Sequence, residues 1–98
     1  EHQVPAANVS VVGSSGLLSA NAGNPAVLKE NQEALAKAVK EKAGVGVAYL
    51  DAAREAALSI AGSVQPEHAA DALLVDVGGG NTKGGYRGEK GAVTFAVP

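Results

Sequence analysis

The segment LLVDVGGGNTKGGYRG, residues 73–88, decides the fold, because a run of large aliphatic residues leads directly into three consecutive glycines. The near-continuous apolar run predicts a β-strand over residues 72–77 that is buried on both faces. The glycines at 78–80 interrupt this strand, and the residues after them favour a strand over a helix. A last strand is predicted over 92–97, after the turn-like residues 88–91. We therefore expect a C-terminal hairpin.

Two helices are predicted upstream of this segment. Asn24 can cap a helix N-terminus, Pro25 suits the first helical position, and the residues that follow are apolar on one face until Gly44. Asp51 is predicted to cap a second helix that runs to about Ser63. A ligand role for the Asp51 carboxylate is the alternative to this capping role.

Short β-branched strands, predicted at residues 9–12 and 45–50, precede the two helices. The resulting order β-α-β-α-β-β predicts an α/β fold with mostly parallel strands and the C-terminal hairpin. The 98 residues are 46% hydrophobic but only 3% aromatic, so the core is small and built mainly from alanine and valine. Because the chain starts at Glu1 and stops at Pro98 directly after an apolar run, we expect a piece of a larger protein.

The composition excludes several classes of function. A net charge of −2 with no basic stripe argues against binding to nucleic acid through its phosphates. The absence of cysteine excludes a disulfide scaffold, a thiolate metal site and a cysteine nucleophile. No apolar run approaches the roughly 18 residues that a membrane span needs. We therefore expect neither a nucleic acid nor a membrane as partner.

Residues 76–83 are the segment whose composition indicates a binding site. Three glycines without Cβ atoms let backbone N–H groups approach an anion closely and form a concave nest for it. Asp76 could hold a divalent cation, the Thr82 hydroxyl could bond a phosphate oxygen, and Lys83 supplies a positive charge. The alternative is a glycine-rich hairpin connection whose aspartate only caps a turn. The predicted phosphate-binding residues are Gly78, Gly79, Gly80, Asn81, Thr82 and Lys83.

Two commoner phosphate-binding motifs do not fit this loop. The P-loop pattern requires Ser or Thr after the lysine, where Gly84 stands here, and the dinucleotide-binding pattern requires a helix after the glycines. Residues 73–82 instead resemble the phosphate motif of the superfamily that contains actin-like ATPases and sugar kinases. Within it, the exopolyphosphatase and guanosine pentaphosphate phosphohydrolase family is the most similar. Residues 11–20 and 51–58 resemble two further stretches of that family, in the same order and at fitting spacing.

The resemblance implies a ribonuclease-H-like fold, in which residues 1–70 end a first domain and residues 71–98 begin a second, with the site in the cleft between them. It implies a cytoplasmic hydrolase that cleaves a terminal phosphoanhydride of polyphosphate or a pppGpp-like nucleotide with Mg²⁺. Glu55 would be the general base that activates water, and Asp76 would lie at the metal. A chain with half of this cleft would be inactive alone, and would associate with its missing domain halves or with itself.

The departures from the family pattern favour a second hypothesis. Leu18 stands where the family has an arginine, and Lys83 stands where it has a glutamate. These changes fit a non-catalytic phosphate- or nucleotide-binding or assembly module of the same superfamily. A kinase-like or hydantoinase-like relative is a third hypothesis, based on the glycine loop alone. Without the resemblance, Glu55 could equally be an exposed acid near the positive end of a helix.

The remaining nucleophilic and metal-binding side chains are interpreted as structural. Ser14 and Ser15 lie between glycines, but no G-x-S-x-G pattern surrounds them, so they are predicted to be turn residues. His2 and His68 lack the neighbouring ligands that a metal site would need, and neither is expected to bind a metal.

Overall fold

The structure, a computed structural model, describes residues 3–19 and 23–97, so His2 and Ala20 lie outside the described residues. The chain forms a mixed α/β fold with one parallel and one antiparallel sheet. Short 3₁₀ turns lie at Ala6–Asn8 and Pro66–His68. The helices and strands are β1 (Val11–Gly13), α1 (Ser15–Ser19), α2 (Pro25–Ala43), β2 (Val47–Tyr49), α3 (Ala52–Ser63), β3 (Leu73–Val77), β4 (Thr82–Gly88) and β5 (Gly91–Val97).

The predicted boundaries of α2 are confirmed. The Asn24 side chain accepts a hydrogen bond from the Val27 N–H at 3.3 Å, and Pro25 is the first helical residue. Gly44 ends the helix with a φ of 72°, a left-handed conformation that glycine adopts without a Cβ clash. None of residues 25–43 is fully buried, so the apolar face of α2 is only partly covered by the described part of the chain.

Strands β1 and β2 form the parallel pair, with α2 in the connection between them. Gly13 lies opposite Tyr49, whose ring packs so closely that a Cβ at position 13 would collide with it. The Tyr49 hydroxyl donates a hydrogen bond of 2.9 Å to the Gln32 carbonyl oxygen. This bond ties β2 to α2 and confirms the predicted β-α-β arrangement for the first half of the chain.

Strands β3, β4 and β5 form an antiparallel sheet in that order, so the prediction of mostly parallel strands is wrong for the second half of the chain. The reason lies in the connections. Residues 78–81 and 89–90 are too short to return the chain to the other end of the sheet, because a parallel crossover needs about a dozen residues. The C-terminal region is antiparallel, as the predicted hairpin requires, but it has three strands where the predicted order has two, because β4 lies between the two predicted strands.

Helix α3 packs on one face of the three-stranded sheet, mainly over β4 and β5. Its N-cap is Asp51, as predicted, because the carboxylate accepts a 2.7 Å hydrogen bond from the Arg54 N–H. The core under the helix contains Ala56, which is fully buried, and Ile60, which is 2% exposed. This small core agrees with the composition, since alanine lets the helix approach the sheet closely.

The other face of the three-stranded sheet is apolar and exposed. The prediction that β3 is buried on both faces is therefore wrong for this chain: Val77 is 77% exposed. A single helix covers one face of this sheet, and no described element covers the second. The exposed large apolar side chains on this face are Leu73, Val75, Val77, Tyr86, Val93, Phe95 and Val97. Of the described helices, none combines the length and hydrophobicity that a membrane crossing requires.

Candidate functional site

Three charged side chains meet where α3 crosses the sheet, and we call Glu55, Asp76 and Lys83 the charge cluster. Asp76 on β3 and Lys83 on β4 are direct cross-strand partners, so both side chains lie on the face that α3 covers. Glu55 reaches the same point from the first turn of α3. Lys83 Nζ lies 2.9 Å from Asp76 Oδ2 and 3.4 Å from Glu55 Oε1. The structure therefore brings together one predicted catalytic residue, one predicted metal ligand and one predicted phosphate ligand.

Burial differs across the charge cluster. The Lys83 side chain is 5% exposed, whereas those of Glu55 and Asp76 are 21% and 40% exposed. A buried ammonium needs partners, because leaving water without compensation is costly. Both carboxylates compensate Lys83, and two negative charges against one positive charge leave the cluster with one net negative charge.

Ser15 and Asn81 extend this cluster with hydrogen bonds. The Ser15 N–H donates to Glu55 Oε2 at 2.8 Å, and the Ser15 hydroxyl oxygen accepts from Asn81 Nδ2 at 3.0 Å. Lys83 Nζ donates to Asn81 Oδ1 at 3.5 Å. Ser15 is buried at the start of α1, so the interpretation of Ser15 as only a turn residue is wrong. No local motif marks it, since its partners are 40 and 66 residues away along the chain.

The pKa shifts of Glu55 and Lys83 both favour the ionised form. Burial acts to raise the pKa of Glu55, but hydrogen bonds from Ser15 and the nearby Lys83 charge lower it below its ordinary value. The hydrogen bond to Asp76 raises the pKa of Lys83, and the Glu55 charge adds to this against the opposing effect of burial. Glu55 is therefore a carboxylate of low basicity, and Lys83 is a fixed cation.

The glycine loop, residues 78–81, is the hairpin connection between β3 and β4 and lies beside the charge cluster. Gly78 donates its N–H to the Asn81 carbonyl oxygen at 2.9 Å, which closes the turn. Within the described residues, the N–H groups of Gly79 and Gly80 donate to no other group of the chain. A Cβ placed on Gly78 would lie 3.7 Å from Lys83 Nζ, so the loop and the cluster are in contact.

Gly79 has no structural requirement for glycine. A Cβ built on it meets no atom within 4 Å, and positive φ angles in the described residues occur only at Gly44, Gly85 and Gly91. Packing and backbone conformation therefore both permit a larger residue at position 79. An unhindered N–H that can be approached closely is what such a glycine provides.

The structure does not bring Thr82 to the charge cluster. Thr82 and Lys83 are adjacent on β4, so their side chains point to opposite faces of the sheet. Thr82 lies between Val77 and Val97 in the cross-strand register, on the exposed apolar face. A phosphate held by the glycine loop beside Lys83 would therefore not contact the Thr82 hydroxyl in this arrangement.

The carboxylate of Asp76, the predicted metal ligand, is paired with Lys83. Lys83 Nζ, 2.9 Å from Asp76 Oδ2, takes the position that a cation shared with Glu55 would occupy. In the described ranges, no group of three or more histidine, cysteine, aspartate or glutamate residues is placed to hold a metal ion. We therefore derive no chemical step through Mg²⁺ in this chain.

The other singled-out residues lie away from the cluster. Leu18 is half-buried in α1, and His68 is exposed, with its Nδ1 3.8 Å from an Asp71 carboxylate oxygen. A shallow depression of about 820 Å³ lies beside the β4–β5 turn and is lined in part by Arg87 and Lys90. This turn is at the opposite end of β4 from the glycine loop, so the depression and the charge cluster are separate features.

Comparisons with known proteins do not indicate a function for this chain. No protein-family model, curated protein or solved structure matches the chain significantly. The resemblance of residues 73–82 to a phosphate motif therefore stands on those residues alone. The glycine loop and the charge cluster are the features of the described residues that bear on function.

Proposed function

We propose that the chain is a phosphate-binding module in which the glycine loop contacts one phosphate group of polyphosphate or of a phosphorylated nucleotide. The observation that carries this proposal is the pair of N–H groups at Gly79 and Gly80, which have no acceptor among the described residues. Two adjacent backbone donors at an exposed turn match the acceptor oxygens of a phosphate. The glycine at position 79, which neither packing nor conformation requires, supports the same interpretation.

The charges around the loop determine how strong this binding is. Lys83 is already paired with two carboxylates, so it adds little attraction for a third anion. The net negative charge of the cluster opposes a polyanion close to it. We therefore expect weak, fast-exchanging binding that depends on backbone N–H groups, and we expect it to weaken for ligands of higher charge at low salt.

Phosphoanhydride hydrolysis is the second candidate function, and one observation favours it. Ser15, Glu55 and Asn81 come from the three separate stretches that resemble the exopolyphosphatase family, and they form one hydrogen-bonded network. Under this proposal the chain is part of a cytoplasmic hydrolase with a ribonuclease-H-like fold, split between residues 1–70 and 71–98. Glu55 would orient a water molecule rather than act as a strong base, since its pKa is lowered.

We place binding ahead of hydrolysis because both carboxylate oxygens of Glu55 already have partners. Oε2 accepts from the Ser15 N–H, and Oε1 lies against Lys83 Nζ. Each oxygen keeps a second lone pair, but these contacts and the lowered pKa make Glu55 a weak acceptor for a proton from the reacting water. In this arrangement the Glu55 carboxylate holds Ser15 and Lys83 together. Such a structural role fits the hypothesis of a non-catalytic binding module, as does Leu18 at the position where the family has an arginine.

A matched pair of glycine variants tests the binding proposal. Pyrophosphate and tripolyphosphate are titrated into the ¹⁵N-labelled chain, and amide shifts are followed for the wild type, Gly79→Ala and Gly46→Ala. Both glycines have open space at the Cβ position and lack a positive φ, so neither substitution strains the fold. We expect selective shifts at residues 78–81 that weaken several-fold in Gly79→Ala and are unchanged in Gly46→Ala, since only the first Cβ stands in the path of the ligand.

Two results would decide against this proposal. A folded wild type without selective shifts at the loop would mean that residues 78–81 are only a hairpin connection. Release of inorganic phosphate from polyphosphate that is abolished by Glu55→Gln would establish the second candidate, because a binding module leaves its ligand intact.

A further inference from the structure

We infer that the Lys83 ammonium is a built-in cation that holds Glu55 and Asp76 together in the place of a divalent metal ion. The first observation is its position. Nζ lies 2.9 Å from Asp76 Oδ2 and 3.4 Å from Glu55 Oε1, between the two carboxylates. Metal–oxygen distances are about 2.0–2.6 Å for Mg²⁺ and Ca²⁺, so a metal bound to both oxygens would overlap the ammonium.

The second observation is that all three N–H donors of the Lys83 ammonium have partners. A lysine side chain has three N–H donors, and Nζ has three oxygen partners, on Asp76, Glu55 and Asn81. With 5% of its side chain exposed, Lys83 has little access to water in place of these partners. The contact with Asn81 also links the cation to the glycine loop, because Asn81 closes the turn with Gly78.

With Lys83 in place, the two carboxylates are not available to Mg²⁺. Proteins typically hold Mg²⁺ through one or two carboxylates together with phosphate oxygens and waters. Glu55 and Asp76 are the two carboxylates at this point, and both already face the Lys83 ammonium. Under the proposed function, on which this step rests, phosphate binding at the glycine loop is therefore independent of divalent cations.

The cation site can be tested without phosphate. Mn²⁺ is titrated into the ¹⁵N-labelled chain, and paramagnetic broadening of the amides of Glu55, Asp76 and Lys83 is measured. We expect no selective broadening in the wild type up to about 1 mM Mn²⁺, a concentration at which weak all-oxygen cation sites are occupied. Selective broadening at these three amides in the wild type would overturn the inference.

Removal of the built-in charge provides the complementary result. Lys83→Gln leaves two carboxylates without their cation, and Lys90→Gln is the control, since Lys90 is exposed in the β4–β5 turn. We expect Mn²⁺ to bind Lys83→Gln at least about tenfold more tightly than the wild type, because a positive charge within 4 Å of the site has been removed. A folded Lys83→Gln variant with unchanged Mn²⁺ affinity would contradict the inference. If this variant does not fold, the wild-type titration decides alone.

A last titration separates this inference from the proposed function. Inorganic phosphate, which forms only a weak complex with Mg²⁺, is added to the wild type with and without Mg²⁺, and we expect equal affinity at residues 78–81. Binding that appears only with Mg²⁺ would overturn metal independence while the loop remains a phosphate site. No binding under either condition would refute the proposed function, and the Mn²⁺ results would still decide whether Lys83 replaces a metal.

Discussion

The Glu55→Gln variant provides the sharpest test of the charge cluster. Glutamine keeps the shape of the side chain and one oxygen that can accept from the Ser15 N–H, but it removes the negative charge beside Lys83. At 3.4 Å and an effective dielectric constant of 20, the Coulomb attraction between the two charges is about 5 kcal/mol before any desolvation cost is subtracted. Because Lys83 keeps Asp76 as partner and the cost of burying the Glu55 charge disappears, we expect a net loss of about 1–3 kcal/mol in the free energy of unfolding.

Glu41→Gln is the matched control, since the same chemical change occurs there at an exposed site. Glu41 Oε1 lies 4.0 Å from Lys37 Nζ on the surface of α2, with 65% of the Glu41 side chain exposed. Exposed helical pairs of this spacing contribute about 0.3–0.5 kcal/mol. Urea denaturation at pH 7, followed by far-ultraviolet circular dichroism, measures both variants. Equal losses for Glu55→Gln and Glu41→Gln would refute the reasoning, because the cluster would then be no stronger than a surface pair.

The pH dependence of the free energy of unfolding tests whether the ionised form of Glu55 stabilises the fold. The pKa of Glu55 in the folded chain lies below its ordinary value of 4.5, so its ionised form stabilises the fold fully above that pH. As the pH falls through the folded pKa, the carboxylate becomes protonated and its contribution is lost. The stability difference between the wild type and Glu55→Gln should therefore be constant from pH 7 down to about 5 and shrink at lower pH. A difference that grows on acidification would contradict this assignment.

Two further predictions concern the packing that positions the cluster. Ile60→Ala should lower the free energy of unfolding by about 2–5 kcal/mol, because Ile60 is 2% exposed. Leu58→Ala, on the exposed side of α3, should lower it much less, and urea denaturation compares the two variants. Gly84→Ala should cost about 1–3 kcal/mol, since its Cβ would collide with the Leu74 carbonyl oxygen. Gly62→Ala, which has open space at the Cβ position in α3, should instead stabilise the fold by up to about 1 kcal/mol. Thermal unfolding compares the two glycine variants, and a Gly62→Ala variant less stable than Gly84→Ala would contradict the prediction.

The elements that could be predicted from the sequence are those with local signals. Asn24, Pro25 and Gly44 set both ends of α2 through hydrogen bonds and backbone angles within a few residues. Asp51 does the same for α3. Such signals do not depend on the rest of the fold, because the capping groups and the groups they satisfy are neighbours along the chain.

The candidate site was only partly predictable. Residues 76–83 stand out by composition, and a four-residue connection at 78–81 places Asp76 opposite Lys83, so their ion pair has a signal that register reasoning could have used. A metal ligand at Asp76 and a phosphate ligand at Lys83 were predicted from each side chain separately. Their mutual pairing changes what each can bind, since a carboxylate and an ammonium in contact satisfy one another.

Local signals in the amino-acid sequence were sufficient for the ends of α2, the N-cap of α3, the approximate positions of four of the five strands, and the glycine loop, but not for α1, which lies where a turn was predicted. The tertiary structure alone decided that Ser15 and Glu55 join the hairpin, and that one face of the three-stranded sheet is covered while the other is exposed. The physical reason is the range of the interactions. Capping and turn formation act over a few residues, whereas the hydrogen bonds of Ser15 to Glu55 and to Asn81 join groups 40 and 66 residues apart.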